Sequence, residues 1–174
     1  MHEVVASTRV NAPPDRVFDV FTDFENAPEN VRGIKALELL TPGPLKKGSR
    51  FRQTRVISGH EETEEMEVTD FRPGESYSVG GESHGARYAG TMKVSPDGKG
   101  SKVEMRFTFT PISVFAKLMG FMAQGMVDSF KKALQQDLED LKKVAEDDDA
   151  DAKRPGEKVM RAGGGRRASD RAGK

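Results

Sequence analysis

Cysteine and tryptophan are absent from the 174-residue chain, and histidine occurs only three times, at His2, His60 and His84. Without cysteine there is no disulfide, thiolate nucleophile, Cys-ligated zinc or iron–sulfur cluster. Three scattered histidines argue against a His-rich metal or haem site. No apolar run reaches the length of about 18 residues that a spanning helix needs. The first 20 residues hold Glu3, Arg9, Asp15, Arg16 and Asp19 instead of an apolar stretch, so no signal peptide is expected. These absences lead to the expectation of a soluble, cytoplasmic protein.

Net charge is zero, with 28 basic and 28 acidic residues, but its distribution is uneven. Residues 152–174 hold eight basic and two acidic side chains, which leaves residues 1–151 with a deficit of six charges. An acidic body does not suit nucleic acid, whose affinity rests on neutralising phosphates. From Asp147 onward the chain has one Val, one Met and no aromatic residue. Such a segment cannot bury enough apolar area to offset its ordering entropy, so 147–174 is expected to be a disordered tail, acidic and then basic, after a domain over 1–146.

Within that body, HEVVASTRV (2–10) reads as a strand that Asn11-Ala-Pro-Pro-Asp15 interrupts. Val17, Phe18, Val20 and Phe21 predict a short helix over 14–22, and DFENAPENVR predicts a second over 23–32. Strand-like runs follow at 34–41, 48–58, 62–71, 75–82, 86–95 and 101–110, separated by Pro- and Gly-containing turns. Their spacing implies one antiparallel meander. A long helix is predicted from Ile112 to Glu146, with Phe115, Met119, Met122, Met126, Phe130 and Ala133 on one face. The fold class is therefore α+β: a seven-stranded antiparallel sheet, two short helices after strand 1, and a long C-terminal helix covering the sheet's apolar face.

Pairing the strands through their turns tests which face points inward. A four-residue turn at 58–61 sets Ile57 opposite Glu62, Arg55 opposite Glu64, Gln53 opposite Met66 and Phe51 opposite Val68. The next two turns place Gly81 against Tyr88, Val79 against Gly90, Tyr77 against Met92, Met92 against Met105, Gly90 against Phe107 and Tyr88 against Phe109. The opposite face then collects Arg52–Glu67, Thr54–Glu65, Glu82–Arg87, Lys93–Glu104 and Thr91–Arg106. Apolar residues thus fall on one side and complementary polar pairs on the other. Gly81 and Gly90 leave gaps among large inward residues, opposite the flexible Met119, Met122 and Met126. That combination suggests a cavity for a flat or greasy molecule. The competing expectation is that the glycines only permit curvature and that neighbouring aromatics fill the space.

The opening VVASTRVNAPPDRVFDVFTDFENAP resembles the start of the START-like (SRPBCC) helix-grip superfamily, in which a strand ends in Ala-Pro and a helix begins with Val-Phe. GPLKKGSRF, VTDFRPGESY and FKKALQQDLEDLKKVAE are similar in kind and order over residues 3–146. The branch it most resembles is the polyketide cyclase/dehydrase and lipid-transport family. The chain departs from many members at Glu29-Asn30-Val31, where they carry a Trp. The resemblance implies a curved sheet gripping the C-terminal helix around a cavity for a small hydrophobic ligand. A lipid, a quinone and a polyketide-like molecule are the classes considered.

Candidate chemistry is sparse. No Walker loop, G-x-G-x-x-G fingerprint or supported Ser-His-Asp order is present. His60 and His84 fall in predicted turns, and at most His60, Glu62 and Glu64 could converge on a metal. The expected ligand-binding residues are Phe51, Gln53, Arg55, Glu64, Met66, Tyr77, Gly81, Tyr88, Gly90, Met92, Met105, Phe107, Met119, Met122 and Met126. Arg55 offers a fork for a ligand carboxylate or carbonyl. Tyr77 and Tyr88 offer phenols that could join Arg55 and Glu64 in a cyclase/dehydratase-type acid–base set. The leaner expectation is non-catalytic binding, with no cofactor, no metal and no catalytic residue. Residues 112–127 together with the basic tail also suggest weak peripheral membrane contact.

Overall fold

The computed structural model describes residues 1–114 and 124–147. The elements in chain order are β1 (His2–Val10), α1 (Pro14–Phe21), α2 (Ala27–Asn30), β2 (Ile34–Leu39), β3 (Arg50–Ile57), β4 (His60–Arg72), β5 (Ser76–Ser83), β6 (Ala86–Asp97), β7 (Gly100–Pro111) and α3 (Gln124–Glu146). The seven strands form one antiparallel sheet in the order β1-β7-β6-β5-β4-β3-β2, and α3 packs across its apolar face. The expected architecture is present. Residues 115–123 and 148–174 lie outside the described residues. So do Met119, Met122, nearly all of the expected tail and most of the stretch proposed for membrane contact; Ile112 and Ser113, expected to open the long helix, are described and are not helical. Among the described residues no helix is long and apolar enough to cross a membrane.

Local chemistry explains the turns. Ser58 and Gly59 take φ of 51° and 81°, and His84 and Gly85 take 50° and 76°. Consecutive left-handed residues define the two-residue hairpin turn whose twist matches the flanking strands. The β3–β4 connection is therefore two residues long, not four. Its register differs from expectation by two: Ile57 pairs with His60, Arg55 with Glu62, Gln53 with Glu64 and Phe51 with Met66. Side chains alternate with a period of two, so this slip changes partners without exchanging faces. On the outside, Arg52 meets Glu65 and not Glu67, and Thr54 meets Thr63 and not Glu65. The β5–β6 and β6–β7 registers are as expected, including Gly81–Tyr88, Gly90–Phe107 and Met92–Met105.

The helices are held by both apolar and polar contacts. Pro14 occupies the first turn of α1, where its missing N–H costs nothing, and Val17, Phe18, Val20 and Phe21 are all buried. The second short helix is only four residues long. It leads into Val31, which is 2% exposed and belongs to the buried core. On α3 the buried seam runs through Leu134, Leu138, Leu141 and Ala145. Arg16 of α1 donates from Nε to the Ala145 carbonyl and from Nη2 to the Asp147 carbonyl, both at 2.6 Å. A guanidinium there satisfies orphan carbonyls and complements the negative end of the helix dipole.

Candidate functional site

Two adjoining spaces that share lining residues lie between sheet and helix. The deeper chamber, about 100 Å³, is walled by Tyr77, Met92 and Met105 of the sheet, Leu134 and Leu141 of α3, and Phe24 from the α1–α2 connection. The outer chamber, about 380 Å³, lies toward the β5–β6 turn and is walled by Tyr88, Phe109, Phe130 and Met126, with Glu62, Glu64 and His84 at its polar edge. Gln53, Arg55, Met66 and Phe107 line both chambers and so form the neck between them. Phe107 and Phe109 meet Phe130 edge-on at ring separations of 5.3 and 5.0 Å, which fixes the start of the described helix against β7.

One ion pair dominates the neck. Arg55 Nη2 donates to both carboxylate oxygens of Asp137 at 2.9 and 2.7 Å. Their side chains are 17% and 9% exposed. Burial pushes the Asp137 carboxyl above the usual carboxylate range, against the opposing pull of the Arg55 charge. Arg55 Nε is buried without a hydrogen-bond partner. Just under one turn further along α3, burial raises Asp140, but hydrogen bonds and charge from Arg32 outweigh it and hold its carboxyl below the ordinary range.

Both phenols are driven upward. Burial is the main cause for Tyr77, followed by the Asp137 charge; for Tyr88 it is again burial, followed by the nearby Glu64 charge. A phenol raised in this way stays neutral and becomes a weaker proton donor. Tyr88 Oη donates to the Glu65 carbonyl at 3.3 Å.

The expected site residues separate clearly. Phe51, Tyr77, Met92 and Met105 line the deep chamber, as does Gly90. Glu64, Tyr88 and Met126 line the outer one. Gly81 lines neither, because the Tyr88 hydroxyl and ring cover it. A Cβ on Gly90 would collide with the Phe107 ring. The glycine gaps are thus occupied by two aromatic side chains, and the free volume lies beside them rather than in them. Met126 is 57% exposed, at the rim and not in an inward stripe. Arg55 does not pair with Glu64: its fork is taken by Asp137. His60 and His84 are exposed, and among the described residues no group of three or more His, Asp or Glu side chains is placed to hold a metal ion.

Asp137 was not anticipated, although a signal was available. It lies three residues after Leu134 and four before Leu141, at the spacing of the apolar seam, where a charged residue requires a buried partner. The contribution of Phe24 had no comparable signal, because it sits in an irregular connection. It packs edge-on against Phe51 at 4.9 Å and Tyr77 at 5.6 Å.

A curved antiparallel sheet around a C-terminal helix, with a cavity between them, is the helix-grip architecture, and solved structures share it. TTHA0849 from Thermus thermophilus is 22% identical with a TM-score of 0.67, over 83% of this chain and 97% of that one. The Zhui aromatase/cyclase from a Streptomyces species is 16% identical with a TM-score of 0.68, over 83% and 93%. Ginseng major latex-like protein 151 from Panax ginseng is 14% identical with a TM-score of 0.68, over 82% and 95%. No curated protein matches the sequence. The family model described as polyketide cyclase / dehydrase and lipid transport matches residues 1–146, and the chain belongs to that family.

Proposed function

We propose that the protein binds a small hydrophobic molecule, non-catalytically, in the two chambers between sheet and α3. The observation that carries this reading is the neck: a cavity with a largely apolar lining in which the buried Arg55 and Asp137 are paired with each other. A lining whose exposed area is mostly aromatic and aliphatic suits a ligand chosen by volume and shape. The deep chamber alone holds only a small group, so the ligand body occupies the outer chamber and extends through the neck. Native mass spectrometry of the purified protein, incubated with a series of neutral aromatic and aliphatic compounds, tests this. One-to-one adducts support it; the absence of any adduct across the series overturns it.

A second reading is a cyclase or dehydratase. The convergence of Tyr77, Arg55 and Asp137 on one cavity favours it, as does the structural likeness to a protein described as an aromatase/cyclase. Against it stand the raised phenols, which give up protons poorly, and an arginine already committed to Asp137. Turnover of a model polyketone, lost in Tyr88→Phe or Arg55→Ala, would move the assignment to this class.

A further inference from the structure

The outer chamber differs from the deep one in its carboxylates: Asp137 of the deep chamber is paired with Arg55, whereas two glutamates at the outer wall have no basic partner among the described residues. Glu62 and Glu64 stand on the inward-facing side of β4 and line its wall. Their cross-strand neighbours are Arg55 and Gln53. In another arrangement Arg55 would neutralise Glu62, but its guanidinium is turned to Asp137, which accepts two hydrogen bonds from Nη2. Among the described residues, no Lys, Arg or His nitrogen lies within 4.0 Å of a Glu62 or Glu64 carboxylate oxygen, whereas Glu61, Glu65 and Glu82, on the opposite face, each have a basic partner. Glu62 is exposed at the mouth, whereas Glu64 is half-buried, so the Glu64 charge is the less screened by solvent. Among the described residues of the wall, the fixed positive charge is that of Arg55, held by Asp137; Gln53, Ser83, Tyr88 and the exposed His84 add none.

We propose that the chamber selects ligands with an apolar body and a cationic amine head, and that Glu62 and Glu64 are the specificity-determining residues that accept it. This rests on the binding reading above and narrows it to a ligand class. The body fills the space beside Phe107, Phe109 and Phe130, and the head reaches the carboxylates at the wall. A ligand carboxylate would meet two uncompensated negative charges, and Asp137 already holds the fork that could have received it. The arrangement therefore rejects anionic amphiphiles as well as accepting cationic ones.

Three probes with one naphthalene body test the inference: 2-(1-naphthyl)ethylamine, 2-(1-naphthyl)ethanol and 1-naphthaleneacetate, titrated into the full chain by calorimetry at neutral pH. The expected order of affinity is amine, alcohol, acetate, with the amine favoured over the acetate by about five- to tenfold, the range expected of partly exposed charge pairs. In Glu62→Gln/Glu64→Gln the amine-to-alcohol ratio falls toward one. In the unaltered protein the amine's affinity weakens with added salt while the alcohol's does not, a check that needs no variant. Acetate binding tightest, or an amine preference that survives both the double substitution and high salt, overturns the selectivity while leaving the binding reading in place. If none of the three probes binds, this inference fails, and the adduct series with neutral compounds decides the binding reading separately.

Discussion

Removal of one partner from the neck ion pair should be far more costly than removal of both. Arg55 and Asp137 are 17% and 9% exposed, and Arg55 Nη2 reaches both carboxylate oxygens within 2.9 Å. Arg55→Met leaves a buried carboxylate without its cation, and Asp137→Leu leaves a buried guanidinium whose Nε already lacks a partner. Breaking such a pair from one side costs about 3–5 kcal/mol, whereas apolar replacement of both partners is often near neutral. For a domain of this size about 3 kcal/mol corresponds to roughly 6–12 °C in Tm. Urea unfolding of the wild type, both single variants and the double variant closes the cycle. The expected outcome is a double variant much closer to wild type than the sum of the two single losses. Additive losses, or an Arg55→Met change within about 0.5 kcal/mol, the ordinary range for surface substitutions, would refute a buried and coupled pair.

Two other outcomes follow from packing and charge. Gly90→Ala forces the Phe107 ring away from the sheet into the shared neck, and should destabilise by about 1–3 kcal/mol while weakening binding of neutral aromatic probes; Gly90→Ala/Phe107→Leu should recover part of both losses in parallel urea and titration measurements. Asp140, held below its ordinary range, adds stability above the unfolded aspartate pKa, and this is lost as pH falls through its lower folded value. Asp137, raised by burial, has the opposite sign, stabilising the fold as pH drops toward the unfolded value. Urea midpoints between about pH 3 and 7 should thus show a shallower acid loss for Asp140→Asn than for wild type, and a steeper one for Asp137→Asn.

Much of the fold was legible because β alternation and turn chemistry agree. His84-Gly85 and Gly98 set two registers correctly, and a face assignment survives a slip of two, which is why the mistaken β3–β4 turn still placed Arg55, Gln53 and Phe51 inward. What a period of two cannot give is the partner of each side chain. That required knowing that Ser58 adopts a left-handed conformation, which its residue type does not favour. The site was half legible for a related reason. Sheet positions follow from alternation, but the depth of each gap depends on rotamers, and Tyr88 and Phe107 lie over Gly81 and Gly90. The choice of Asp137 over Glu64 as the partner of Arg55 depends on how α3 is rotated over the sheet, a quantity that no local pattern encodes.

The central claim, that a ligand enters between sheet and helix, is tested most directly by methionine-methyl NMR during titration with the neutral probe N-phenyl-1-naphthylamine. Met66 and Met105 line the chambers, while Met1 is 83% exposed, lines neither and serves as the control. Saturable shifts of the Met66 and Met105 methyl signals, with Met1 unmoved, are the predicted result. A titration that leaves both chamber methionines unchanged, or that moves only Met1, contradicts the account.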